Sequence, residues 1–521
     1  MLTLVNPNDR LIAERVLELL DPRTHWYRSL WSLNVVLVLH EILEGSEALR
    51  AGILSEPSLR RLGTQVRRLA GQDPGVSEPE RKLLTEALQG IPRHEGVNYH
   101  SIAELAERVN SAYLQRWAHA LRSPFTAQPE RAARSIASYL VDSGFSEQYL
   151  LAWWAHLLRD QAAVSLPEIC EAAHSQLARM PERTFKVLLA FQTAPHSSAG
   201  FPPGWLKAAD VSSWLRRNHI DVTGVRATGG GLVVDVQAKD PQAAAQLAAT
   251  QLDRIVARSS VADRKALVPW TSLWIEGEPA GFPLGLAPRG VRVKALYREN
   301  QLFSQSEGGV DAAIELLAHL ENSTPSAAIA GGWAAIEALL AEPDDRAGAS
   351  ENLAWLVACS FPRAELTTLS YHAAKTCHRL APDLAACSEN RERAALIARE
   401  IAAGNTLNFT REPDLAAVHR MKRILANPSR SLSDVQTHVS DSFHRLYRQR
   451  NLILHGGRVQ SVALRGSLRT AAKLVGAGLD RVAHGWYVKG IRPLELVARA
   501  RNAIALISTD DPAACVDLLG A

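Results

Sequence analysis

Apolar residues in this chain recur at intervals of three and four, and that spacing limits the fold more than any other feature. Leu11, Ile12, Val16, Leu17 and Leu20 follow it, as do Ile102, Leu105, Val109, Tyr113 and Leu114. The period lays one apolar stripe along a helix, whereas a half-buried strand needs alternation. Residues 1–180 read as helices throughout, with breaks at Asp73-Pro74-Gly75 and around Pro92 and Pro124, where proline and glycine interrupt the pattern. Trp26, Trp31, Trp117, Trp153 and Trp154 fall inside it and read as core aromatics. From about residue 300 the helical texture returns, with helices expected over 311–317, 326–340, 353–360, 366–380, 461–484 and 494–507.

The texture changes near residue 181. Phe185 to Phe191 is expected as a strand, Val222 to Arg226 and Leu232 to Val236 as two more, and Leu273 to Ile275 as the last. Helices are expected near 208–218 and 240–258, the second with Asp240 as N-cap and Pro241 in the first helical position. The order is β-α-β-β-α-β, that of ferredoxin-like domains. Gly229-Gly230-Gly231 lies between two strands rather than ahead of a helix, so a hairpin turn is preferred to a phosphate loop. Residues 283–289 have the composition of a linker, with a short strand expected at Val291-Arg292-Val293. The expected fold is therefore mainly α in three parts. These are a helical segment over 1–180, regulatory or sensing, a small α+β (ferredoxin-like) segment over 181–290, and a helical bundle over 300–521.

Composition narrows the function classes. With 47% apolar and 21% charged residues the chain is globular rather than disordered. A net charge of +4 does not by itself imply nucleic acid, but its distribution is uneven. From Arg430 to Ala521 there are about 13 Lys and Arg against about 7 Asp and Glu, which suits a polyanionic partner. Five cysteines at 170, 359, 377, 387 and 515 are scattered, with no CxxC. Reduced thiols in a cytoplasmic protein are expected. The first twenty residues carry charges within their apolar pattern, so no signal peptide is expected. The apolar run from Leu30 to Leu39 is far short of the ~20 residues of a membrane span, and no membrane partner is expected. His40-Glu41 and Glu44 lack the second histidine of a helical zinc motif and read as a solvated helix edge. His372, Cys377, His378 and Cys387 have spacings that fit no common zinc site. No metal or cofactor is expected, and neither a Walker A string nor a nucleophile elbow is present.

The chemistry concentrates in Tyr447-Arg448-Gln449-Arg450-Asn451-Leu452-Ile453-Leu454-His455-Gly456-Gly457. On a helix, Asn451 and His455 share a face and Arg450 lies within reach of it. Leu446, Ile453 and Leu454 can turn into a core, and the two glycines stop the helix. A histidine exchanges protons near neutral pH, and an arginine offers a fixed positive fork to a phosphate. Such a set suits RNA cleavage, in which a ribose 2′-OH attacks its own phosphodiester; DNA lacks that hydroxyl. By residue types alone a helix cap with a cation favoured by the dipole is the simpler account.

Arg450-Asn451-Leu452-Ile453-Leu454-His455-Gly456 resembles the R-N-x-x-x-H motif of the HEPN superfamily, and the run into Gly-Gly resembles its Apea-like branch. Trp333-Ala334-Ala335-Ile336-Glu337-Ala338-Leu339 is similar to the W-x-x-(apolar)-E-x-L helix of that branch. The resemblance covers about residues 300–521. It implies a HEPN-like helical bundle that forms a homodimer through the C-terminal part, and a metal-independent endoribonuclease of defence, toxin or abortive-infection type. On that mapping Arg450 and His455 are the catalytic pair and Asn451 assists. Glu337 reaches Arg450 from a facing helix, as orienting carboxylate or plain salt bridge. Tyr447, Arg448 and Arg458 flank the motif as candidate RNA contacts, a packed tyrosine and a solvated arginine being the alternatives for the first two. The implied partner is RNA, such as tRNA or a phage transcript. The alternative function is a non-catalytic RNA- or nucleotide-binding dimerisation module. About 100 residues between the Glu337 helix and the motif depart from the family pattern.

Overall fold

The computed structural model describes residues 4, 6–123, 128–160, 165–194, 200–221, 228–262, 267–284, 288–304 and 308–520. Among them are twenty α-helices and one five-stranded antiparallel sheet, so the protein is mainly helical with a small α+β part. No helix of the described residues is long and apolar enough to cross a membrane. The chain divides into two compact units, Leu140–Trp154 with Ala172–Ala287, and Met1–Tyr139 with Ala155–Glu171 and Pro288–Ala521.

The smaller unit is built on β1 (Arg183–Phe191), which pairs with β3 (Gly230–Ala238) on one side and β4 (Pro269–Ile275) on the other. Two short strands, β2 (Trp205–Leu206) and β5 (Phe282–Pro283), close the edges in the order β2-β3-β1-β4-β5. Val187, Leu189 and Phe191 meet Ala244, Ala248 and Leu252 of the helix Pro241–Ala262. Leu188 and Ala190 meet Val211, Trp214 and Leu215 of the helix Ala208–Arg217. The helices thus cover opposite faces of the sheet, a placement that element order alone does not fix. With both faces covered, β1 is a near-continuous apolar run rather than an alternating one. Asp240 caps its helix as expected: Oδ1 accepts from the Ala243 N–H at 2.9 Å, and Ser146 donates its hydroxyl to the same carboxylate. The expected strand at Val222–Arg226 lies outside the described residues. Gly230 and Gly231 belong to β3 rather than to a turn, and Val291–Val293 is not a strand.

The larger unit joins the helices of residues 7–139 to those of the C-terminal part, a different partition from the sequence segments. Its core runs through the helix Ala349–Thr376 and the helix Pro428–Leu454, called here the motif helix. Ala349–Thr376 is continuous where two helices were expected, and it carries Pro362 inside it. Trp31 meets Phe361 edge-on, ring centroids 5.5 Å apart, and the Ser442 hydroxyl donates to the Trp31 carbonyl at 2.6 Å. A buried ion network ties the same parts together. Arg28 donates to Glu365 at 2.6 Å and to Asp414 at 3.0 Å; Arg420 donates to Glu365 and Glu130; Arg15 and Arg134 also donate to Glu130. Burial alone pushes the Glu365 and Glu130 carboxyls up, but the arginines around them outweigh it and hold both below the usual range.

Candidate functional site at the end of the motif helix

The motif helix runs 27 residues and ends at Leu454, with His455 as its C-cap. The His455 N–H donates to the Asn451 carbonyl at 2.9 Å and the Gly457 N–H to that of Ile453 at 3.1 Å. Gly457 takes φ +63°, the left-handed conformation that lets the chain turn away. Gly456 is required for a different reason. A Cβ there would lie 2.7 Å from the Leu452 carbonyl oxygen and 2.8 Å from Ile53. Of the residues expected in the core, Leu446 is fully buried and Ile453 half-buried, but Leu454 is exposed.

One guanidinium nitrogen gathers the motif. Arg450 Nη1 donates to Asn451 Oδ1 at 2.9 Å and to His455 Nε2 at 2.8 Å. Because a guanidinium has no acceptor, Nε2 must accept, which leaves the ring neutral with its proton on Nδ1. Asn451 is buried, Arg450 half-buried and His455 exposed, so the cluster opens at its imidazole end. Among the described residues no carboxylate pairs with Arg450.

The flanking residues have other partners. Arg448 is buried, and its Nε and Nη2 donate to Glu41 Oε1 at 2.9 and 2.6 Å, while Arg445 donates to Glu41 Oε2 at 3.0 Å. Burial raises the Glu41 carboxyl, but Arg448 and Arg445 outweigh it and hold it low. The reading of Arg448 as an RNA contact is therefore corrected, as is that of Glu41 as a solvated edge. Arg458 donates to Glu47 at 2.8 Å, and the Ser461 hydroxyl to Glu44 at 2.6 Å. Glu41, Glu44 and Glu47 form one row on the helix Val35–Arg50, facing the end of the motif helix. Their three-residue spacing was the signal in the sequence, and it was missed because charged rows usually face water.

Tyr447 packs its ring 4.8 Å from that of Trp333, which favours the packed reading. Trp333 Nε1 donates to Glu337 at 2.6 Å, and Arg346 lies 3.5 Å from the same carboxylate. Glu337 does not reach Arg450: the expected pair is replaced by an indole bond within its own helix, Pro325–Leu340. His372 pairs with Asp414 at 2.9 Å, and no group of three or more metal-ligating side chains occurs among the described residues. Comparison with known proteins finds no matching family model, no matching curated protein and no matching solved structure.

Proposed function

We propose that the motif helix carries half of a metal-independent endoribonuclease site, completed by a second copy of the chain, in a protein of defence or abortive-infection type. The observation that supports it is the Arg450–Asn451–His455 cluster: a cation with no carboxylate partner among the described residues, bonded to a neutral imidazole at an exposed helix end. A phosphodiester entering there would take the Arg450 N–H bonds in place of His455. The freed imidazole accepts the 2′-OH proton as that oxygen attacks phosphorus, and Arg450 holds the growing charge on the non-bridging oxygens. The 5′-oxygen leaves with a proton from the second copy's His455, which enters the step as an imidazolium released from its own Arg450 and ends it neutral, giving a 2′,3′-cyclic phosphate and a 5′-hydroxyl. Glu337 has no part in this scheme, and Asn451 keeps Arg450 in position.

The test is incubation of the full-length protein with cellular RNA in the presence of a chelator, beside Arg450→Ala and His455→Ala. Cleavage with 2′,3′-cyclic phosphate ends that falls ~100-fold or more in both variants is the expected result. Equal cleavage by parent and variants would remove the site assignment. Salt-sensitive RNA binding without cleavage, weakened by Arg450→Ala alone, would favour the non-catalytic binding module instead.

A further inference from the structure

A second feature lies in the first half of the motif helix, away from the motif. A cavity of about 490 Å³ is lined by Arg68, Arg131, Arg134, Arg420, Arg423 and Arg430, with Asp73, Glu130 and Asp434 as its carboxylates. Cations outnumber anions two to one, and three of the six arginines are already paired: Arg134 and Arg420 with Glu130, and Arg68 with Asp441. Glu130 receives Arg15, Arg134 and Arg420, and Asp73 accepts from the Tyr113 hydroxyl at 2.6 Å. Among the described residues Arg131 and Arg430, both exposed, make no ion pair, and Arg423 donates to the Gln128 amide oxygen at 3.1 Å. Arg68, which pairs with Asp441, and Arg420 each retain a buried Nε–H with no acceptor. Buried donors without partners are uncommon, and an ion, a water or a ligand in the cavity would satisfy them.

The opposite part of the lining is different in kind. Trp31, Leu33, Phe361 and Ile424 supply apolar wall, and Asn34 and Ser138 add polar groups. Arg134 stacks over the Trp31 ring at 5.0 Å. Arg430 sits in the first turn of the motif helix, where the helix dipole adds to the attraction for anions. The cavity falls within the usual range for small-molecule sites and is too small for a folded partner.

We propose that this cavity binds a nucleoside di- or triphosphate, its phosphates among the arginines and its base against the Trp31–Phe361 wall. Arg131, Arg423 and Arg430 have no ion-pair partner among the described residues, which favours a ligand with several negative charges over one with a single charge, and the apolar side of the lining suits a ring better than a bare ion. His438 lines the same cavity; burial, then Arg68, Arg134 and Arg131, push its imidazole down to about 4, in keeping with a strongly positive interior. The proposal does not rest on the ribonuclease reading.

Calorimetric titration of the full-length protein with ATP, GTP, ADP, pyrophosphate, citrate and adenosine tests it. At least one nucleotide is expected to bind with Kd of ~1–100 μM, at least ~10-fold tighter than pyrophosphate or citrate, with no heat from adenosine. The double variant R131Q/R430Q, at two exposed unpaired positions, is expected to weaken binding ~10-fold or more with its melting temperature unchanged. R131K/R430K, which keeps the charges, is expected to retain most of the affinity. Arg450→Ala should bind as the parent does, which separates this result from that of the RNA assay. Absence of binding at 1 mM-scale concentrations (~1 mM), binding indifferent to both double variants, or citrate binding as tightly as the nucleotide would each overturn the proposal.

Discussion

Arginines two and five residues apart on one helix have opposite uses here. Arg445 and Arg448 are buried on Glu41, whereas Arg450 turns its charge to the helix end. Removing one partner of a buried pair strands the others, so Glu41→Ala is expected to lower stability by ~3–5 kcal/mol. Arg450→Ala, with no ion pair to lose, should change it by less than ~1 kcal/mol. Denaturant midpoints of the two variants check the contrast, and a large loss in Arg450→Ala would mean that the motif is structural. Asp73 offers a pH test. Burial pushes its carboxyl up to about 6, against ~3.9 in an unfolded chain. Between those values the unfolded chain has released the proton and the folded chain still holds it, so this group lowers stability as pH rises from about 4 to 6. Asp73→Asn is expected to melt higher than the parent at pH 7.5 and to approach it at pH 4; a variant less stable at both pH values would refute the assignment.

At the scale of the element, the motif helix ends on two glycines with separate reasons. Gly457→Ala places a side chain at φ +63° and is expected to lose ~1 kcal/mol. Gly456→Ala drives a methyl group into Ile53 and the Leu452 carbonyl, with an expected loss of ~1–3 kcal/mol. Ile53→Val in the same chain should recover part of it, since it removes the nearer side-chain atom; strict additivity in that double-mutant cycle would mean the two residues do not touch. Part of this element was legible beforehand. The Arg-Asn-x-x-x-His spacing and the glycine stop follow from helical period and residue type, whereas the contact of Tyr447 with Trp333 does not. The fate of Arg448 was not legible, because its partner lies 407 positions away, and a local pattern carries no information about a contact so distant. Glu337 was misplaced for a related reason: a carboxylate four residues after a tryptophan can serve its own helix before it serves a neighbour.

For the whole molecule, periodicity gave helices but not their companions. The mainly α class and the small α+β part were readable from stripes and alternation. The union of residues 7–139 with the C-terminal helices was not, because it depends on Arg15, Arg28, Glu41, Glu130 and Glu365, charged residues that look like surface when only their neighbours in sequence are considered. The expected consequence is that residues 288–521 made alone will not hold a fixed core. Glu365 would keep one of its two arginines, Arg445 and Arg448 would lose Glu41, and Phe361 would lose Trp31. Loss of near-UV dichroism with dye-binding apolar surface is the expected outcome for that fragment; a cooperative melt at the parent's temperature would show the N-terminal helices to be dispensable.

The unbroken motif helix also fixes a phase. His438, in the arginine-lined cavity, and Arg450, at the motif, lie twelve residues apart on the same rod, roughly 18 Å at 1.5 Å per residue. Each residue turns the rod by ~100°, so one added alanine between them would swing the motif by more than a quarter circle relative to the cavity. Placed ahead of Arg448, the same insertion would also carry Arg448 off Glu41. Point substitutions can retune either end separately, but changes of length between the two cannot be absorbed by a loop, and the two ends must keep their angular register as a pair.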